Sequence, residues 1–209
     1  MKITSLKYAS SVLSEAMILR GGDRGRAVPI DFILYLIEVG ERKLLVDAGC
    51  VTMPGFEMQD FIGPVAALRD VGIKPEEITD VLITHAHHDH IECVGAYPNA
   101  TVTIQIDEWE KGKRYFSEQS AVHIFVDSIE IMEGIKMQRI GGHSVGSSVV
   151  HIRDGAYEYV IVGDECYKSV CVERGIPTGC SYCPEKSEMF IRVYSDPRYK
   201  LLYCHDAQQ

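Results

Sequence analysis

Four side chains that can bind a metal ion lie within six residues of one another, in the segment Thr84-His-Ala-His-His-Asp-His90. They are His85, His87, Asp89 and His90. A neutral imidazole is the commonest metal ligand in proteins, and a carboxylate suits harder divalent ions. The spacing allows His85 and His87 to face one ion while Asp89 and His90 face a second. An ordinary polar surface loop leaves this density of ligands unexplained, so the segment predicts a metal site.

The ligand-rich segment follows the apolar run Val81-Leu-Ile83, which is typical of a short buried strand. Three more metal-binding side chains each come just after a predicted strand: His143, Asp164 and His205. Loops at the strand ends along one sheet edge point to a common side, where functional residues sit on a rigid scaffold. We therefore expect these three residues to join the first four. The remaining histidines are interpreted as structural or surface residues: His88, His123 and His151.

Apolar runs and turn residues predict the elements that carry these ligands. Two hairpins are indicated, at Gly40-Glu41-Arg42 and at Asp154-Gly155. The predicted strands are Lys2–Tyr8, Phe32–Val39, Lys43–Val46, Val81–Ile83, Thr101–Ile106, Ile129–Ile131, Ile135–Ile140, Ser147–Ile152, Tyr157–Val162 and Lys200–Tyr203. The predicted helices are Pro64–Val71, a helix capped by Asp107 and running through Phe116 with Trp109 and Phe116 buried, and Pro184–Tyr194. Residues 20–28 predict a loop.

Length and composition predict one compact domain over residues 1–209, because 46% of the residues are hydrophobic and can form a sizeable core. The 30 acidic and 21 basic residues give a formal net charge of −9, which argues against nucleic acid as a partner. The N-terminal residues lack the pattern of a secretory leader, and no apolar run approaches membrane-spanning length. We therefore expect a cytoplasmic protein without a membrane partner.

Seven cysteines occur in the chain, an odd number that argues against a disulfide framework and for reduced thiols. Cys180 and Cys183 have the spacing of a zinc-ribbon or redox pair. No second Cys-x-x-Cys accompanies them, so a closed four-thiolate site is not available from these residues.

The order of these motifs resembles the metallo-β-lactamase superfamily, and within it the N-acyl homoserine lactonases. The resemblance rests on five segments: Leu45-Val-Asp-Ala-Gly49, Thr84–His90, Gly142-His-Ser-Val-Gly146, Val162-Gly-Asp-Glu-Cys-Tyr167 and Leu202-Tyr-Cys-His-Asp206. It implies an α+β protein with the metallo-β-lactamase fold, a four-layer αβ/βα sandwich of two mixed β-sheets flanked by helices.

The resemblance also implies a site for two metal ions. The first ion would be held by His85, His87 and His143, the second by Asp89, His90 and His205, and both by Asp164. Asp47 matches an acidic residue that the family places behind the site, although a strand-end cap is an equal alternative. Zinc is the first choice because nitrogen-rich ligand sets without redox demand suit it, while iron, manganese and cobalt remain alternatives.

The implied activity is hydrolysis of a lactone or ester, a small-molecule substrate, by a hydroxide that two metal ions activate. Asp89 would pass a proton to the leaving alkoxide. Tyr167 matches a tyrosine that the lactonases place over the substrate carbonyl, and packing in the core is the alternative role. A homodimer is compatible with the sequence, but no feature establishes it.

Three other functions fit parts of the pattern. A thioesterase resembling hydroxyacylglutathione hydrolases would share the metal ligands, but those enzymes usually lack a tyrosine at the position of Tyr167. An oxidoreductase resembling the persulfide dioxygenases would use a single iron, and a metal-binding module would have no activity. The segment Ile91-Glu-Cys-Val-Gly95 departs from the glycine pair common in lactonases. The stretch between Gly49 and His85, where lactonases build part of the acyl-chain pocket, is short for that family, so the acyl-chain preference stays open.

Overall fold

The computed structural model of the protein describes residues 1–118 and 120–206. These residues form two compact units. The first comprises the described residues of Met1–Ser11 and Asp31–Val126, and the second those of Val12–Ile30 and from Asp127 onward. The single domain expected over residues 1–209 stays a prediction, and its last three residues lie outside the described part of the chain.

A six-stranded mixed sheet forms the framework of the first unit. Its strands, in spatial order, are β1 (Lys2–Ser14), β2 (Ala27–Val39), β3 (Arg42–Val46), β4 (Asp80–Ile83), β5 (Thr101–Gln105) and β6 (Ala121–Phe125). β2 and β3 form the predicted antiparallel hairpin, and β3 to β6 run parallel to one another. The core strand β4 is apolar and fully buried over Val81–Ile83, as expected for a parallel strand covered on both faces.

A five-stranded mixed sheet forms the framework of the second unit. Its strands are β7 (Ser128–Met132), β8 (Ile135–Arg139), β9 (Ser148–Asp154), β10 (Tyr157–Ile161) and β11 (Tyr199–Leu202). The spatial order is β11-β10-β9-β8-β7, and all neighbours are antiparallel except β10 and β11. In β8, Ile135 and Met137 are buried while Lys136 between them is exposed, so this sheet presents an apolar face to the core of its unit.

The described residues contain six α-helices: α1 (Glu15–Ile18), α2 (Pro64–Asp70), α3 (His88–Ile91), α4 (Ile106–Gly112), α5 (Ser169–Arg174) and α6 (Pro184–Tyr194). The bounds of α6 agree with the predicted helix, and its buried face includes Phe190, Ile191 and Tyr194. The predicted α+β class with two mixed sheets and flanking helices is confirmed. No helix among residues 1–118 and 120–206 is long and apolar enough to cross a membrane.

The prediction for α4 is wrong in three respects. Gln105, not Asp107, caps the helix, because its side chain accepts a hydrogen bond from the backbone N–H of Asp107 at 2.7 Å. The α-helix ends at Gly112, and a short 3-10 turn follows. Trp109 and Phe116 are half-buried rather than buried, and they pack edge to face with ring centroids 4.9 Å apart.

Several elements differ from the sequence predictions in extent or existence. β1 continues to Ser14, well beyond the predicted end at Tyr8. β2 begins at Ala27, before the predicted start at Phe32 and within the predicted loop over residues 20–28. The elements β6, α1, α3 and α5 were not predicted, since each is short and lacks a clear apolar period. The seven cysteines all lie in the described part of the chain, and each is a free thiol.

Candidate metal centre

In the first unit, the ligand-rich segment leaves β4 after Ile83 and continues into α3. His85, Asp89 and His90 are buried, whereas His87 is exposed. The end of β4 is buried and α3 follows it closely. This arrangement directs the side chains of neighbouring ligands toward one region. The segment therefore combines a rigid support with one ligand that solvent can reach.

Two pairs of ligand atoms in this first set lie at distances that suit binding to a common ion within each pair. Nε2 of His85 is 2.9 Å from Nδ1 of His87, and Nε2 of His90 is 3.5 Å from Oδ2 of Asp89. Two atoms bound about 2.0–2.1 Å from one ion at a tetrahedral angle lie about 3.3 Å apart. The donor atoms within the first set therefore fit divalent metal ions.

Asp47 supports this set from the end of β3. Its Oδ2 lies 2.7 Å from Nδ1 of His90, and its Oδ1 accepts the backbone N–H of Thr84 at 2.7 Å. A carboxylate at this distance holds the hydrogen on Nδ1 and leaves Nε2 as the ligating atom, as is typical of metal-binding histidines. Asp47 also has a positive φ of 62°, so its backbone conformation is specialised for this position.

Glu108 is a second support that the sequence analysis missed. This carboxylate on α4 is 1% exposed, and its Oε2 accepts the backbone N–H of Ala86 at 2.9 Å. Lys111 on the same helix lies 3.1 Å from its other oxygen. The acidic first turn of α4 thereby fixes the middle of the ligand-rich segment.

In the second unit, three predicted ligands lie together at the ends of strands. His143 belongs to the loop between β8 and β9, Asp164 to a 3-10 turn after β10, and His205 follows β11. All three side chains are buried. Oδ1 of Asp164 lies 3.1 Å from Nε2 of His205, and Oδ2 lies 3.4 Å from Nε2 of His143. The two oxygens of one carboxylate thus face two different histidines, an arrangement that lets the carboxylate serve two ions.

His143 is oriented by the cysteine-rich segment that precedes α6. Its Nδ1 donates to the backbone carbonyl of Cys180 at 2.7 Å. This bond places the hydrogen on Nδ1 and leaves Nε2 facing Asp164. Asp47 has the same effect on the ring of His90. The segment contributes to the site through its backbone, a role that the cysteine spacing did not indicate.

Tyr167 lies against both histidines of the second set. Its ring stacks on His205 with centroids 5.2 Å apart and an interplanar angle of 29°, and it meets His143 edge to face at 5.8 Å. Burial raises the pKa of the Cys180 thiol, and the interaction with Tyr167 opposes this rise. The tyrosine therefore contacts the predicted ligands directly instead of packing only among apolar residues.

Glu165 was also missed by the sequence analysis, although it directly follows the predicted ligand Asp164. It is completely buried, and burial raises its pKa to about 7. Its Oε1 accepts backbone N–H groups from Gly142 at 3.0 Å and His143 at 3.3 Å, together with the hydroxyl of Ser147. Its position directly beside the predicted ligand Asp164 was the only signal in the sequence.

The three histidines outside the predicted ligand set have other surroundings. His88 lies 3.0 Å from the Tyr115 hydroxyl and 3.2 Å from Glu92. His151 lies within β9 between Glu158 and Tyr194, and His123 is exposed on β6. These contacts give His88 and His151 structural roles.

Comparison with known proteins identifies the family of the chain. Residues 34–172 match the model of the Metallo-beta-lactamase superfamily. The N-acyl homoserine lactonase AiiB of Agrobacterium fabrum (strain C58) is 23% identical over 88% of this chain and 82% of its own length. An N-acyl homoserine lactonase of Bacillus thuringiensis is 25% identical over 88% of this chain and 85% of its own length.

A solved structure shares the fold over nearly the whole chain. It is an N-acyl homoserine lactone hydrolase with the product N-hexanoyl-L-homoserine bound at its catalytic metal center. The TM-score is 0.82 at 19% identity, covering 98% of this chain and 93% of that protein. This likeness confirms the predicted metallo-β-lactamase fold. The chain therefore belongs to the metallo-β-lactamase superfamily, as a hydrolase that resembles the N-acyl homoserine lactonases.

Proposed function

We propose that this protein uses two divalent metal ions to hydrolyse a small-molecule lactone or a related carboxylic ester. The observation that carries the proposal is the pairing of Asp164 with two histidines, at 3.1 Å from His205 and 3.4 Å from His143. A carboxylate flanked in this way suits a ligand that two ions share. The similarity to N-acyl homoserine lactonases supports the same activity.

The proposed ligand set follows the resemblance to the family. His85, His87 and His143 would hold the first ion, Asp89, His90 and His205 the second, and Asp164 both. Zinc is the preferred ion because five of these seven ligands are imidazoles and the proposed reaction needs no redox change. Iron, manganese and cobalt accept the same donors, and they remain alternatives.

Bound divalent ions would lower the pKa of water to about 7 and so supply a nucleophile at neutral pH. The Tyr167 hydroxyl would donate a hydrogen bond to the substrate carbonyl oxygen as negative charge develops on it. Asp89 would accept the proton released by the attacking water and pass it to the leaving alkoxide, so that ring opening yields a hydroxy acid. The stacking of Tyr167 on His205, with centroids 5.2 Å apart, supports this role because it directs the tyrosine toward the ligands.

The test combines metal analysis with a substrate panel of lactones, esters, thioesters and a persulfide. We expect two metal ions per chain, hydrolysis of lactones in preference to thioesters, loss of activity with a chelator and recovery with zinc. His123→Ala, which changes an exposed histidine outside the ligand set, should leave the metal content unchanged. His205→Ala should lower the metal content.

Four results would contradict the proposal. Full activity in a chelator would exclude a metal mechanism. One iron per chain with oxygen consumption on the persulfide would identify an oxidoreductase, and a metal-loaded protein inactive on the whole panel would identify a binding module. Preference for thioesters would move the substrate class toward that of the hydroxyacylglutathione hydrolases. Homodimerisation and a cytoplasmic location stay predictions.

A further inference from the structure

We propose that Glu165 is a positioning residue of the metal site, whose carboxylate holds the backbone of His143 in place relative to Asp164. The inference rests on the proposed function, since it takes His143 and Asp164 to be metal ligands. Glu165 and Asp164 are consecutive in one 3-10 turn, Gly163–Glu165. The same turn therefore carries one ligand and the group that fixes the loop of another.

The contacts of Glu165 are all made inside the second unit. Its Oε1 accepts from the backbone N–H of Gly142 at 3.0 Å and of His143 at 3.3 Å, and from the hydroxyl of Ser147. The side chain is completely buried. Because these donors are buried with it, the carboxylate rather than bulk water is their acceptor in the folded protein. The loop between β8 and β9 thus depends on Glu165 for three of its hydrogen bonds.

The opposite side of the same loop is held by the cysteine-rich segment. The carbonyl of Gly142 accepts backbone N–H groups from Tyr182 at 2.8 Å and Cys183 at 2.9 Å, and the hydroxyl of Ser181 at 3.1 Å. His143 itself donates from Nδ1 to the carbonyl of Cys180 at 2.7 Å. The loop is therefore held from two directions, by the Glu165 carboxylate on one side and by the cysteine-rich segment on the other.

Gly142 is in contact with both Glu165 and the cysteine-rich segment. A Cβ at this position would overlap Oε2 of Glu165 and would lie 2.7 Å from Oγ of Ser187. Its φ is outside the left-handed region, so the need for glycine here is steric. The glycine in the Gly-His motif thus makes room for the carboxylate that positions the histidine.

The first test compares metal affinity in Glu165→Ala, Glu165→Gln and the wild type, by competition with a chromophoric chelator for zinc. Loss of a partner that orients a metal ligand weakens metal binding about 10- to 100-fold, and we expect this for Glu165→Ala. Glu165→Gln should lie between alanine and the wild type, because its amide oxygen still accepts but forms weaker bonds than a carboxylate. The visible spectrum of the cobalt-loaded protein should shift in the same order.

Asp80→Asn is a matched control for the loss of a buried carboxylate. Asp80 is 6% exposed, bonds to Arg42 at 2.5 Å, and lies at the end of β4 opposite to His85. Its substitution should lower the stability of the protein without changing the zinc affinity or the cobalt spectrum. If Asp80→Asn weakens metal binding as much as Glu165→Ala does, Glu165 acts only through general stability and the inference is wrong.

A double-mutant cycle tests the contact from the other side. Gly142→Ala should weaken zinc binding while Glu165 is present, because the added methyl group displaces the carboxylate. In Glu165→Ala the same substitution should cause a smaller additional loss, since residues in contact are not additive. If Glu165→Ala fails to fold, Glu165→Gln and Gly142→Ala provide the same comparison.

Two negative results have different meanings. Wild-type protein that binds no metal would overturn the proposed function, and the positioning role with it. Wild-type protein that binds zinc, while Glu165→Ala binds it equally tightly with an unchanged cobalt spectrum, would overturn the positioning role alone.

Discussion

Oδ2 of Asp47 lies 2.7 Å from Nδ1 of His90, and neither residue is more than 3% exposed. Asp47 stands at the end of β3 and His90 in α3, so the bond connects the strand framework to the ligand-rich segment. A buried carboxylate at this distance determines which ring nitrogen carries the hydrogen. The orientation and the tautomer of His90 therefore depend on a residue outside the ligand motif.

Asp47→Asn should weaken zinc binding about 10- to 100-fold. When the asparagine oxygen accepts from Thr84, its amide group faces Nδ1 of His90 as a donor, which favours the hydrogen on Nε2. Asparagine tolerates the positive φ of 62°, so the backbone is preserved. Zinc affinity by chelator competition measures the effect.

Asp60→Asn is the control for this substitution, because Asp60 also has a positive φ, of 48°, but is exposed. Its zinc affinity should equal that of the wild type. If Asp47→Asn binds zinc as tightly as the wild type, Asp47 acts only as a cap at the end of its strand.

Tyr167→Phe should lower kcat for a lactone about 10²- to 10³-fold, the loss typical of removing one donor to a developing oxyanion. Phenylalanine keeps the ring stacked on His205, so the metal content and KM should change little. Steady-state kinetics with parallel metal analysis measures both. Tyr182→Phe, at a side chain 66% exposed in the same region, should retain wild-type kcat. An unchanged kcat in Tyr167→Phe would assign that residue to packing.

Glu92→Ala should loosen the start of the loop that follows β3. Oε2 of Glu92 accepts backbone N–H groups from Val51 at 2.7 Å and Thr52 at 3.3 Å, and it lies 3.2 Å from His88. Losing a bond worth about 1.4 kcal/mol should speed amide hydrogen exchange at Val51 roughly tenfold. Glu110→Ala, which removes a surface pair with Lys113, is the control and should leave this exchange unchanged. Wild-type exchange in Glu92→Ala would show that the loop is held by other contacts.

The second unit should become less stable as the pH falls, because His151 then becomes protonated. Burial lowers the pKa of His151, whose Nδ1 lies 2.8 Å from Glu158 and whose Nε2 lies 3.1 Å from the Tyr194 hydroxyl. His151 binds a proton at about pH 6.5 in the unfolded chain and only at lower pH in the folded chain. The contribution of neutral His151 to the free energy of unfolding is therefore complete above about pH 6.5. It is lost as the pH falls toward the folded-state pKa.

Urea unfolding in a chelator at about pH 7 and about pH 5 measures this effect. The free energy of unfolding should decrease more in the wild type than in His151→Gln, whose side chain is neutral at both values. Equal decreases in the two proteins would assign the pH dependence to other groups.

Local patterns predicted the elements that have strong periods or strong turn signals. The helix Pro184–Tyr194 was predicted with its observed bounds, and the hairpin predicted at Asp154-Gly155 joins β9 to β10, with Gly155 and Ala156 as its turn residues. The start of α4 was wrong because the Gln105 side chain caps the helix, a choice that residue preferences alone do not decide. β6 was missed because it is short and largely exposed, and its pairing with β5 defines it as a strand.

By itself, the sequence predicted the proposed ligands and their order along the chain, because imidazole and carboxylate chemistry belongs to the residue and the spacing is local. It also named Asp47 behind the site, with a strand-end cap as an equal alternative, but it did not indicate Glu108 or Glu165. The tertiary structure showed which backbone and side-chain groups these carboxylates contact. Asp47 meets His90 across 43 positions, and Glu165 meets Gly142 across 23. Such contacts depend on how distant strands pack, and buried carboxylates are tolerated where packing supplies donors for them.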